Sequence, residues 1–172
     1  MDFLSTGIVE IEDYLLKSVS GGTILNIVKA GDPILRTVAE PVELKDGHVS
    51  KEIQELLNDM TETMYKAMGI GLAAPQIGIS KRLIVVDILS GTLYKLINPE
   101  IIETSGSQTD FEGCLSIPNV YDKVTRSKEI IIKAIDITGS EVIISAKNML
   151  ARAFQHEIDH LDGVLFTDKI SS

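Results

Sequence analysis

Residues 147–161 read KNMLARAFQHEIDHL, and this stretch decides how the rest of the chain has to be arranged. Met149, Leu150, Ala153, Phe154, Ile158 and Leu161 recur at three- and four-residue intervals, the period of a helix face. Gly163 follows where such a helix would stop. Inside the stretch, His156-Glu157-Ile158-Asp159-His160 places two imidazoles four residues apart, so both project from one face, one turn apart. Two rings so placed can reach one metal ion at about 2 Å, with Glu157 near enough to touch a water there. Burying an apolar helix that carries His and Glu on its inner faces is costly unless those groups are used. A central helix holding a reactive site is the expectation.

Working outward, the segments before this helix are rich in β-branched residues. Residues 83–88, 94–97, 120–126, 130–135 and 142–145 read as strands, with Asp136-Ile137-Thr138-Gly139 as the hairpin turn between the last two. Residues 24–28 read as a further short strand, after which Gly31-Asp32-Pro33 turns the chain and Pro41 breaks it again. From Ser50, a plausible N-cap, the period becomes helical: Ile53, Leu56, Leu57, Met60, Met64 and Ala67 form one apolar stripe, and Gly69 stands at its end. The strands follow one another without intervening helices. The class is therefore α+β, with mostly antiparallel sheets packed around the C-terminal helix and a core helix nearer the N-terminus.

Composition narrows the function. The chain has 172 residues, 44% of them apolar, which suffices for one core without disulfides. One Cys cannot form an internal disulfide. A net charge of -9 argues against sequence-specific nucleic-acid binding or any grip by counterion release. No apolar run reaches bilayer length, and the acidic N-terminus is a poor signal peptide, so a cytoplasmic protein is expected. Residues 1–23 read differently from the remainder. Ile8, Ile11, Leu15 and Val19 fall at helical spacing before the hinge Ser20-Gly21-Gly22-Thr23. They are expected to form an appendage or leader, with the catalytic unit over residues 24–172.

Two His do not complete a catalytic metal site, which needs a third protein ligand and an open position. The tail offers Asp162 and Asp168. The other source is Cys114, set after a glycine and among polar residues in Phe111-Glu112-Gly113-Cys114-Leu115-Ser116, where an inert buried thiol is less expected. His48 lies in a polar turn and reads as solvated. The glycine-rich run Gly69-Ile70-Gly71-Leu72-Ala73-Ala74-Pro75-Gln76 lacks the spacing and lysine of a phosphate-binding loop.

Taken together, Gly69 to Gln76, Glu112-Gly113-Cys114-Leu115-Ser116 and Gln155 to His160 resemble the three sequence motifs of the peptide deformylase family, intact and in the same order. The similarity runs from about Ile24 to Ile170. It implies that Cys114, His156 and His160 hold one divalent metal, Fe(II) physiologically, with Zn(II), Ni(II) or Co(II) in purified protein. It implies hydrolytic removal of the N-formyl group from formylmethionine of nascent polypeptides by metal-activated water. Glu157 would be the general base and acid, and the Gln76 side chain and Leu115 N–H would steady the oxyanion. The resemblance also implies that backbone groups of Ile70, Gly71 and Gly113 pair with an extended peptide. An apolar pocket beside His156 would take the methionine side chain, and Glu112 and Arg126 would brace the Cys114 loop. The implied setting is bacterial or organellar by descent, near the ribosome exit region.

Overall fold

The computed structural model describes residues 22–171. The appendage expected at the N-terminus therefore lies, as far as residue 21, outside the described residues. Two helices dominate, α1 (Lys51–Lys66) and α2 (Asn148–Leu161). The strands are β1 (Gly71–Ala73), β2 (Leu83–Val86), β3 (Tyr94–Ser105), β4 (Gln108–Cys114), β5 (Ile117–Arg126), β6 (Glu129–Ile135) and β7 (Glu141–Lys147). Five of them form one antiparallel sheet in the order β1-β2-β3-β6-β7, while β4 and β5 make a separate hairpin. The class is α+β, as the patterning predicts. Among the described residues no helix is long and apolar enough to cross a membrane.

Strand β2 shows how the layers are held. Its four residues are fully buried and alternate between two cores. Leu83 and Val85 pack with Leu57, Met60 and Met64 of α1, whereas Ile84 and Val86 pack with Ala151, Phe154 and Ile158 of α2. A strand has a period of two, so one continuous apolar run supplies both faces when helices cover each side. Each such side chain contributes about 1.5–3 kcal/mol on burial, as an upper figure. The sheet is thereby clamped between α1 and α2, the helix that contains His156, Glu157 and His160.

Helix α1 begins as expected: the Ser50 side chain accepts a hydrogen bond from the Ile53 N–H. It ends differently. The residue in the left-handed region is Met68, with φ 55°, and Gly69 is not. Gly69 instead lies close against the Leu115 side chain, whose Cδ1 would have to shift to admit a Cβ. Helix α2 leaves β7 directly through Asn148, φ 53°, and stops as the sequence suggests, with Gly163 at φ 73°.

Residues 24–28 are not a strand. Their composition suits one, but the backbone donors find scattered partners: Leu25 N–H bonds the Thr63 hydroxyl at 2.9 Å and Val28 N–H bonds the Gln76 carbonyl at 2.7 Å. The segment is extended chain laid across the molecule. The sequence does not mark strands β1 and β4, because one is three residues long and glycine-led, and the other (QTDFEGC) is polar.

Candidate active site

The three expected ligands converge. Cys114, at the end of β4, and His156 and His160, on α2, each offer one ligand atom within 4.8 Å of the others. Register brings them together. The β4–β5 pairing shifts between Glu112 and Cys114, a bulge that re-aims the side chain of Cys114. Its Sγ stands 3.3 Å from His160 Nε2. The two imidazoles are one helical turn apart, with ring centroids separated by 5.0 Å. Asp162 and Asp168 take no part: Asp162 pairs with Arg82 and Asp168 with Arg36.

A buried ion network orients His156. Its Nδ1 lies 2.8 Å from Glu112 Oε1, which leaves Nε2 for a ligand. Glu112, with no exposed surface, is gripped by Arg126 through two bonds of 2.8 Å and by Arg152 at 2.6 Å. Burial alone would raise the Glu112 carboxyl, but the Arg126 and His156 contacts hold it well below the usual carboxylate range. Arg126 reaches on to Asp159, also on α2. The expected Glu112–Arg126 pair is therefore present. Arg152 and Asp159 are not assigned a role by the sequence, although their spacing gives a clue: Arg152 lies four residues before His156 and Asp159 three after, on neighbouring rows of one helix face.

On the other side of the thiol, Gln76 is fixed at both ends of its amide. Ala73 N–H donates to Oε1 at 3.0 Å, so Nε2 faces the Ser116 hydroxyl at 3.2 Å and Cys114 Sγ at 3.6 Å. Glu157 is 5% exposed, and among the described residues its Oε2 has no hydrogen-bond partner. Burial pushes its carboxyl up to about 7, against the pull of His156. Of the two imidazoles, burial opposes charge on both. The contacts from Cys114 and Glu112 nevertheless raise His156 well above the ordinary value, while burial and the His156 charge lower His160. A Cβ on Gly71 would run into the Glu157 carboxylate, so glycine is what lets β1 pass beside that group.

These side chains open onto one cleft of about 490 Å³. Ile70, Gly71, Gln76, Glu112, Gly113, Leu115, Cys114, His156 and Glu157 line it, whereas Arg126 and His160 lie behind. The donor set suits a divalent transition metal: one soft thiolate and two imidazoles, with a buried carboxyl left unpaired alongside. His48 is exposed at a turn, as expected.

An α+β fold that brings such a donor set together with a buried carboxyl at a cleft fits a metal-dependent hydrolase. The sequence model described as Polypeptide deformylase matches residues 24–172. The chain is 51% identical over 146 residues to the peptide deformylase of Carboxydothermus hydrogenoformans, covering 85% of this chain and 93% of that protein. It is 53% identical over 148 residues to that of Halothermothrix orenii, covering 86% and 94%. The crystal structure of peptide deformylase from Thermotoga maritima superposes with a TM-score of 0.82 at 41% identity, over 87% of this chain and 99% of that one. The chain belongs to the polypeptide deformylase family.

Proposed function

We propose that this protein removes the formyl group from the N-terminal formylmethionine of nascent polypeptides, with residues 24–172 as the catalytic unit and residues 1–23 as an extension. The observation that carries the reading is the convergence of Cys114, His156 and His160 at a cleft that Cys114, His156 and Glu157 line, with Glu157 Oε2 lacking a hydrogen-bond partner among the described residues. Cys114, His156 and His160 would hold one divalent ion, Fe(II) in the cell, with Zn(II), Ni(II) or Co(II) able to replace it. When bound, that ion supplies Lewis acidity to the carbonyl and to a water.

The chain's own groups do the remainder. Glu157, with a carboxyl near 7, takes a proton from the attacking water and returns it to the departing amine, a task that suits a pKa near the working pH. The Gln76 amide Nε2 and the Leu115 N–H donate to the oxygen that gains charge, a role worth about 3–4 kcal/mol per donor. Strand β1 ends the five-stranded sheet, so its outer edge is available to a substrate laid alongside as a further strand, gripped through the backbone of Ile70, Gly71 and Gly113. Main-chain pairing accepts any sequence, and the apolar part of the cleft beside His156 receives the methionine side chain. Formate release would occur in the cytoplasm, near the ribosome exit region.

The test is a comparison of substrates on anaerobically purified, Fe(II)-loaded protein. Formyl-Met-Ala-Ser should release formate, while its N-acetyl analogue and an internal peptide bond should stay intact. Cleavage of the internal bond would make the protein a general metallopeptidase instead. Replacing Cys114 with Ala should lower the bound metal per chain, and an unchanged stoichiometry would remove it from the ligand set.

A further inference from the structure

The turn that carries the Leu115 N–H is a hairpin tip, and a hairpin tip is not held by its own ladder. Cys114 pairs with Ile117, leaving Leu115 and Ser116 as the two turn residues. The carbonyls of these two turn residues are free to accept from outside the hairpin. Here both are taken by adjacent residues of the extended N-terminal segment. Lys29 Nζ donates to the Leu115 carbonyl at 3.0 Å, and Ala30 N–H donates to the Ser116 carbonyl at 2.9 Å. One residue earlier, Val28 N–H donates to the Gln76 carbonyl at 2.7 Å. Three consecutive residues therefore fasten both elements that supply oxyanion donors, the Gln76 turn and the Leu115 turn, to one piece of backbone.

Gln76 and Leu115 are 39 positions apart in sequence, and the direct ties between their turns run from Gln76 Nε2 to Ser116 Oγ and Cys114 Sγ. Both use the same amide that has to meet the substrate oxygen. The strap over residues 28–30 holds the turns through carbonyls instead, and leaves the catalytic donors free. We propose that Lys29 is a positioning residue, whose bond to the Leu115 carbonyl, beside those of Val28 and Ala30, keeps the Leu115 N–H and the Gln76 amide aimed at one point. The proposal rests on the deformylase reading for its catalytic consequence, and on the geometry alone for the clamp.

Lys29 is exposed and buries no core surface, so its side chain can be changed without emptying the interior. In the metal-loaded full chain, Lys29→Met should lower kcat for formyl-Met-Ala-Ser by about 5- to 30-fold, since small misplacement of a reacting group is expensive in rate. KM, bound metal and melting temperature should hold at wild-type values, and Lys29→Arg should recover most of the rate. Amide order at Leu115 and Ser116, read by ¹⁵N relaxation, should fall in Lys29→Met and return in Lys29→Arg. An unchanged kcat overturns the proposal. So does a raised KM at constant kcat, which would make Lys29 a substrate contact, or a fallen kcat with amide order intact. If Leu115 loosens as expected but the wild-type protein releases no formate, the clamp stands and the deformylase reading fails.

Discussion

At the scale of single residues, the site divides into groups whose removal should act on chemistry and groups whose removal should act on folding. Glu157 belongs to the first kind. Its Oε2 has no partner among the described residues, so Glu157→Gln breaks no hydrogen bond that the fold uses. The variant should keep its metal and its melting temperature and lose activity by about 10²–10⁴-fold, the usual worth of general acid–base help. Full activity in that variant would sink the assigned role. Glu112 belongs to the second kind. It neutralises two buried guanidiniums and holds His156 Nδ1. Glu112→Gln leaves Arg152 without its carboxylate partner and Arg126 with Asp159 alone, which should cost about 3–5 kcal/mol in urea denaturation. Chelator competition should show metal affinity falling about 10–100-fold, because the orientation of His156 is lost with it. A variant with an unchanged urea midpoint would mean the network is ornamental. The sequence disclosed these two glutamates through their motifs. It could not disclose that Arg152 shares Glu112 with Arg126, because the two arginines meet only through the pairing of β4 with β5 and the packing of α2 across it.

At the scale of elements, what could be read was what repeats. Both helices and the strands β2, β3 and β5–β7 announce themselves by period and by β-branched composition, and their ends fall within a few residues of the expectation except for β3, which runs on to Ser105. The failures have physical causes. Strand β4 pairs with one neighbour only and keeps a mostly exposed, polar face, so no apolar alternation marks it. Residues 24–28 have strand composition but spend two of their donors on a hydroxyl and on one turn carbonyl. The end of α1 is the sharpest case, since a glycine stands next to the position that needs left-handed backbone. Met68 occupies that position at φ 55°, 48% exposed at the mouth of the cleft. An L-residue there carries strain of about 1 kcal/mol relative to glycine. Met68→Gly should accordingly raise stability by about 0.5–1 kcal/mol in chemical denaturation. A loss of stability would show that the Met68 side chain contributes more by packing than its backbone costs.

At the scale of the whole molecule, an early turn of the described chain is tied to the C-terminal tail. The turn Pro33–Arg36 meets the turn Phe166–Lys169 through Arg36 and Asp168, whose carboxylate also accepts the Leu165 N–H at 3.0 Å. The tail then runs on to β5, where Ser171 N–H bonds the Lys123 carbonyl at 2.8 Å. Phe166, fully buried, stacks on His156 with centroids 6.1 Å apart, so the closure of the tail reaches the helix that holds His156 and His160. The Arg36 guanidinium beside Asp168 holds its carboxyl below the usual carboxylate range. A carboxyl whose pKa is lower folded than unfolded binds more protons when unfolded, so it adds stability above its unfolded value of about 4 and loses that contribution as pH falls through the folded value. Both side chains are partly open to solvent, at 52% and 39%, which limits the gain to about 0.2–1 kcal/mol. Asp168→Asn should therefore lower the urea midpoint slightly at about pH 7 and converge with the wild-type protein as pH drops below about 4. A difference that persists unchanged into acid would assign the effect to the neutral hydrogen bond at Leu165, which the amide of Asn can keep only in part, and would remove the ion pair from the account of how the tail is held.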